Sequence, residues 1–280
     1  MIMNSSITPI VSPSWLQQNI ADPDLVLLDA TVAKVGQKYP EGFIGLTIGG
    51  AQFFNIDAIA DTTSDLPHMM PSPEKFESMV RKLGINKSSM IVVYDVHGIY
   101  SSPRAFFMFK TMGHNKVAVL NGGAPGWQAI GGKLENRIEQ EIPEGDFVAK
   151  PAADRFVTSD QVLNSINDQS NLVLDARSIG RFNGTEPEPR AGLRSGHIPN
   201  SKCLPFTSVL DGIQLKSNEE LSEIFKSLLD EDQQLTMSCG SGLTACIIGL
   251  AAEIVGYKGV SIYDGSWSEW GADTNLPVAR

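Results

Sequence analysis

Near the C-terminal end of the chain a thiol opens a short glycine-bearing loop, Cys239-Gly-Ser-Gly-Leu-Thr244. The segment before it, QLTMSC (234–239), is a short apolar run. The segment after it, Ala245–Val255, has the composition of a buried helix. A cysteine at the end of a buried parallel strand lies at the carboxyl edge of the sheet, where open α/β folds bind ligands. Gly240 and Gly242 lack a Cβ, so the backbone can curl and turn several N–H groups toward the sulfur. The positive end of the following helix favours thiolate over thiol at the same spot. The expected chemistry is that of a nucleophilic sulfur in an anion cradle formed by Gly240, Gly242, Leu243 and Thr244, which suits a persulfide equally well. Ser241, two residues after the nucleophile, is placed to relay a proton. The other cysteines, Cys203 and Cys246, read as packing residues, and the three together form neither a zinc pattern nor a disulfide framework.

The elements that must position this loop occur twice. Each half opens with a helix start, expected at Ser14-Trp-Leu-Gln17 in one and at Thr158, with Gln161 in the capping-box position, in the other. Strands LVLLDA (25–30) and LVLDAR (172–177) follow, each a Val/Leu-rich run suited to a buried parallel strand. Next come amphipathic helices with Phe76, Met79, Val80 and Leu83, and with Leu221, Ile224, Phe225 and Leu228, at i, i+3, i+4 and i+7. Ser72-Pro73 starts the first of these and the Ser217/Glu220 box the second. Strands MIVVYD (90–95) and QLTMSC (234–239) lead to a loop, a helix and a further strand, VAVL (117–120) or VSIY (260–263). Asn121-Gly-Gly…Trp127 then matches Asp264-Gly-Ser…Trp270.

This alternation predicts an α/β protein of two tandem domains, each a mainly parallel sheet flanked by helices. The expected boundaries are 1–140 for an N-terminal, non-catalytic domain, 141–153 for a linker and 154–280 for the catalytic domain. The halves differ where chemistry is expected. Asp95, followed by a loop read as Val96–Arg104, stands where the second half has Cys239.

A length of 280 residues suits two such domains, and 42% hydrophobic with 19% charged residues is a globular composition. A net charge of −10 without a basic cluster argues against nucleic-acid binding. The apolar runs are too short for a membrane span, the N-terminus lacks a signal-peptide pattern, and free thiols suit a reducing cytoplasm. A Cys-dependent phosphatase is disfavoured, because no Arg closes the loop after Cys239.

The loop CGSGLT, the closing YDGSWSEWGADTNLPV (263–278), the segment GRFNGTEPEPRAGLRSGHIPNS (180–201) and LPHMMP (66–71) resemble the rhodanese superfamily, and within it the 3-mercaptopyruvate sulfurtransferases. The resemblance spans nearly the whole chain. It implies tandem rhodanese-like domains with only the C-terminal one catalytic. It implies Cys239 as the persulfide carrier, and Arg181 and Arg190 as the residues that bind the donor's carboxylate and keto group. Asp61, as an assistant in proton transfer, and His68 are carried over as residues of the first domain that stand near the catalytic loop. Arg194 is left open. GLTIGGAQFF (45–54) departs from the family's usual Gly-His-Ile-Pro-Gly-Ala, and Leu243 replaces the usual Val.

Thiosulfate-using relatives carry cations in the loop, whereas Gly-Ser-Gly is neutral, which suits an organic thiol donor. The implied partners are a small-molecule sulfur donor and a thiol or thioredoxin-like acceptor, with no metal and no organic cofactor. Thiosulfate as donor and a non-catalytic sulfur-relay role are the alternatives.

Overall fold

A computed structural model of the protein describes residues 7–34, 36–138, 142–152, 155–229 and 233–280. The first half contains β1 (Ile10–Val11), α1 (Pro13–Asn19), β2 (Leu25–Asp29), β3 (Leu46–Ile48), β4 (Gln52–Phe53), α2 (Ile56–Ile59), α3 (Pro73–Arg81), β5 (Met90–Tyr94), α4 (Ser102–Thr111), β6 (Val117–Leu120), α5 (Gly123–Ala129) and β7 (Leu134–Asn136). The second contains β8 (Phe156–Val157), α6 (Ser159–Ser165), β9 (Asn171–Asp175), α7 (Ile179–Phe182), β10 (Lys202–Cys203), β11 (Leu210–Asp211), β12 (Gln214–Leu215), α8 (Asn218–Leu228), β13 (Gln234–Ser238), α9 (Ala245–Ile254), β14 (Ser261–Tyr263) and α10 (Ser266–Trp270).

Each half builds one five-stranded sheet, and the two have the same order. The first runs β1-β6-β5-β2-β4 and the second, from the matching edge, β8-β14-β13-β9-β10. Every pairing within them is parallel. The expected α/β architecture of two mainly parallel sheets flanked by helices is therefore the observed one. The departing segment GLTIGGAQFF supplies β3, which pairs antiparallel with β7, and β4, which pairs parallel with β2.

The strands form for the expected reason. Val92, Leu27 and Leu120 in one sheet, and Val173, Ile262 and Met237 in the other, are buried with the flanking helices. The closing tryptophans pack in the same cores, Trp127 with Leu16 and Val92, Trp267 and Trp270 with Val162 and Tyr263. The helices that follow the two loops are buried almost all round: every residue of α4 except Lys110, and α9 from Ala245 to Ala252. A helix without a polar face belongs inside a core. This burial fixes where each N-terminus points.

The capping boxes at Thr158/Gln161 and Ser217/Glu220 are present, and Ser72 caps α3 ahead of Pro73. In the first half the cap is Ser12, not Ser14. Ser12 accepts from Trp15 N at 3.1 Å and Pro13 takes the first helical position, so Ser14 lies inside α1. Leu83 lies just beyond α3, in the turn that ends it.

By contacts the chain divides into two compact units, Met1–Ala60 with Pro71–Ala152 and Gly212–Gln214, and Asp61–Met70 with Ala153–Asp211 and Leu215–Arg280. Residues 61–70, expected in the N-terminal domain, thus count with the second unit. Residues 141 and 153 of the expected linker lie outside the described residues. The remainder is docked on the first unit without regular secondary structure: Gly145 N donates to Arg81 O, Phe147 N to Ile85 O and Lys150 N to Met112 O. Phe147 is 2% exposed and meets the rings of Phe76 and His114.

A linker that merely spans two domains would tolerate truncation of Phe147. Here Phe147→Ala is expected to cost about 3–5 kcal/mol, read as a lowered midpoint in denaturant unfolding of the full chain. An unchanged midpoint would show that the segment does not contribute to the core.

Candidate active site

The central strands β5 and β13 lead directly into Asp95 and Cys239, and the backbone treats the two positions alike. Ala124 N donates to Asp95 O at 3.0 Å, and Trp267 N to Cys239 O at 2.9 Å. Ala30 N binds Tyr94 O just as Ala176 N binds Ser238 O. Because α4 starts at Ser102, the first loop is 96–101 rather than the expected 96–104, one residue longer than 240–244.

The difference lies in what fills the loops. Asp95 is fully buried, and its carboxylate curls into its own loop. Oδ1 accepts from His97 N at 2.9 Å. Oδ2 accepts from Tyr100 N, Ser101 N and Ser102 N at 2.8, 3.0 and 2.9 Å, and from Ser102 Oγ at 2.7 Å. The first unit supplies its own anion.

The second unit has a thiol there instead. Cys239 N and Gly242 N donate to Ser266 Oγ at 3.2 and 3.0 Å, and that hydroxyl donates to Tyr263 O at 2.8 Å. Ser268 holds the loop from the same side, its N and Oγ donating to Gly240 O. Among the described residues, the amides of Gly240, Ser241, Leu243 and Thr244 have no protein acceptor. These amides precede α9, whose positive end adds to the field at the loop. Of the cradle expected from sequence, Gly242 is thus committed to Ser266, while the other members keep their donors.

Ser266 was not foreseen. Its backbone is left-handed, with φ of +48°, and it stands where the first unit has Gly123, with φ of +53°. A Cβ on Gly123 would lie 2.2 Å from Asp95 O and 2.5 Å from Gly98 O, so no serine fits there. The Gly-to-Ser difference between Asn121-Gly-Gly and Asp264-Gly-Ser was the available signal.

The three thiols are in different situations. Cys246 Sγ donates to Gly242 O at 3.2 Å and Cys203 Sγ to Arg177 O at 3.6 Å. Burial pushes the Cys203 thiol up to about 11, with the Asp175 charge adding to the effect. Cys239 is 1% exposed, so its side chain sits within the loop rather than on its rim.

The arginines approach the loop at Gly240. A Cβ on that residue would stand 3.2 Å from Arg181 Nη2 and 3.9 Å from Arg190 Nη1, so glycine here leaves room for both guanidinium groups. Arg181 comes from α7, where Ser178 caps the helix and accepts from Arg181 N. Its Nε and Nη2 grip Glu188. Glu188 also receives Nη1 of buried Arg177, whose Nε and Nη2 grip Asp175 at the end of β9. Neither Glu188 nor Arg177 stood out in the sequence. Arg194 is structural: its guanidinium donates to the carbonyls of Trp270, Gly271, Asp273 and Leu276.

Asp61 and His68 lie in one tight segment. Asp61 N donates to Met69 O, and the Asp61 carboxylate accepts from Thr63 N and Oγ1 at 2.9 and 2.7 Å. His68 has a left-handed backbone, with φ of +62°. Met70 N donates to Asp264 Oδ2 at 2.8 Å, which ties the segment to the turn that carries Ser266. A cavity of about 410 Å³ lies at the opposite ends of β9 and β13, lined by Asn171, Gln234 and Thr236 among others, and contains none of the expected site residues.

Comparison with known proteins agrees with this internal repeat. The profile of the Rhodanese-like domain family matches residues 12–130 and again 158–273. The 3-mercaptopyruvate sulfurtransferase of Escherichia coli K12 is 40% identical over 277 residues, 98% of either chain. A thiosulfate sulfurtransferase of Cricetulus griseus is 39% identical over 274 residues, covering 93% of this chain and 91% of its own. The crystal structure of SseA from Escherichia coli, described as a 3-mercaptopyruvate sulfotransferase, superposes with a TM-score of 0.83 at 37% identity, covering 93% of this chain and 99% of that one.

Replacing Ser266 with alanine keeps the Cβ but removes the hydroxyl oxygen that accepts from two buried amides. The expected loss is about 1–3 kcal/mol of stability, measured as a fall in Tm. A Tm equal to the parent's would mean that Ser266 does not hold the loop.

Proposed function

Because the chain belongs to the rhodanese family, with two rhodanese-like domains in tandem, we propose that it transfers the sulfur of 3-mercaptopyruvate to a thiol or cyanide acceptor through a persulfide on Cys239, releasing pyruvate. The observation that carries this reading is the contrast between the loops. One holds a built-in carboxylate on Asp95, and the other follows a buried thiol with amide donors that have no protein acceptor among the described residues.

In this mechanism the Cys239 thiolate attacks the sulfur of the donor. A sulfur–sulfur bond forms as the donor's carbon–sulfur bond breaks, and the electron pair leaves on carbon as the enolate of pyruvate. Arg190 and Arg181 hold the carboxylate and stabilise charge on the keto oxygen. The proton originally on the donor sulfur ends on the methyl carbon, relayed by Ser241 with Asp61 assisting. The persulfide stays ionised against the amides of Gly240, Ser241, Leu243 and Thr244. An acceptor thiol then attacks the outer sulfur and returns Cys239 to the thiolate. His68 serves as a further contact to the donor. No step calls for a metal or an organic cofactor.

The choice of donor rests on local features, since overall identity is nearly equal for relatives named for either donor. The loop 240–244 carries no charged side chain, and the guanidinium groups lie beside it rather than in it. That arrangement suits a carboxylate at one end of an organic donor better than a compact inorganic dianion.

Two measurements test the proposal. Intact mass after exposure to 3-mercaptopyruvate should rise by one sulfur atom, reverse with a small thiol, and stay unchanged in Cys239→Ser; a gain in that variant would move the nucleophile elsewhere. In parallel assays kcat/KM should be higher for 3-mercaptopyruvate than for thiosulfate, and the reverse order would assign the other donor.

A further inference from the structure

Arg181 does not reach Gly240 unsupported. Glu188 is 2% exposed at its side chain, and both its oxygens are engaged. Oε1 accepts from Arg177 Nη1 at 2.8 Å and from Arg181 Nε at 3.2 Å. Oε2 accepts from Arg181 Nε at 3.2 Å and Nη2 at 2.5 Å.

Behind Glu188, Arg177 is fully buried. It grips Asp175 through Nε and Nη2 at 3.0 and 2.7 Å, donates to Gly196 O at 2.8 Å, and lies 4.1 Å over the Trp267 ring. Burial alone would work against its charge, but Asp175 and Glu188 outweigh that and hold it protonated. The chain Asp175–Arg177–Glu188–Arg181 therefore runs from the end of β9 to the Cys239 loop with both oxygens of each carboxylate engaged. Arg190 differs: among the described residues it has no ion pair.

We infer that Glu188, fixed by Arg177, is a positioning residue that aims Arg181 at the donor-binding face of the Cys239 loop and leaves Arg190 to supply the uncompensated charge. The inference rests on the proposed donor reaction. Two of the five Arg181 donors face Glu188 continuously, so its guanidinium acts by geometry, offering its remaining N–H groups to the keto oxygen. Arg190 then neutralises the carboxylate. Glu188→Gln keeps the shape of the side chain but replaces one acceptor oxygen with an N–H donor that faces a guanidinium, so the fork must turn away.

The test separates the two half-reactions in the full-length protein. In single-turnover loading with 3-mercaptopyruvate, Glu188→Gln should slow persulfide formation by about tenfold to a hundredfold, the scale of a misplacement near one ångström. Enzyme loaded instead with inorganic polysulfide should pass its sulfur to a small thiol at the parent rate, which a merely structural defect would not allow. In an Arg181→Ala background, Glu188→Gln should add no further loss. Equal loading rates in parent and Glu188→Gln, slowed unloading, or additive losses in the double variant would each overturn the inference. Absence of a persulfide in the parent would instead remove the donor reaction itself. Should Glu188→Gln fold poorly, Arg177→Lys probes the same alignment from behind and should slow loading without slowing unloading.

Discussion

Where a parallel strand turns sharply into a buried helix, the backbone presents more N–H donors than it has carbonyls to receive them. Each half of this chain meets that excess at the carboxyl end of its central strand, and each resolves it differently. In the first half Asp95 folds its carboxylate back into the loop and takes five donors. In the second, Ser266 takes two, and among the described residues the other amides of the loop that follows Cys239 have no protein acceptor. The rest of the fold keeps these donors from rearranging. The helices behind the loops are buried on nearly all sides and cannot shift without exposing core surface.

Charge around the second loop is confined with similar care. Arg177 and Arg181 are paired with Asp175 and Glu188, whereas Arg190, beside Gly240, has no ion pair among the described residues, in a protein whose overall charge is −10. Buried ion pairs of this kind are weak contributors to stability, because desolvation offsets most of the attraction. Their value is geometric. A planar fork held on both sides points in one direction, and a long flexible cation does not.

Much of this was legible in the chain itself. The strands around Val92, Leu27 and Val173 announced themselves as short apolar runs, and the caps at Ser72, Thr158 and Ser217 through local spacing, because both signals depend only on near neighbours. Cys239 stands out as a candidate because the halves can be compared position by position. Ser14 was misread because Pro13, at the first helical position, moves the start of the helix back to Ser12. Glu188, Arg177 and Ser266 stayed hidden. Their meaning lies in partners far away in sequence, and a Glu in a Pro-rich stretch carries no local mark. The segment 142–152 looked like a linker for a related reason: its backbone bonds go to α3, α4 and the turns after them, with no periodicity of its own.

The left-handed residue after the last strand gives the asymmetry of the two halves a direction. Exchanging Asp95 for a thiol would not reproduce the second half's loop in the first. Its five donors would lose their acceptor, and Gly123 offers no space for a hydroxyl to take over the role that Ser266 plays. The carbonyls of Asp95 and Gly98 would have to retreat before any side chain could enter. Building the second half's loop into the first would therefore take several coordinated replacements, and as it stands the first half is committed, as by a ratchet, to holding its own carboxylate.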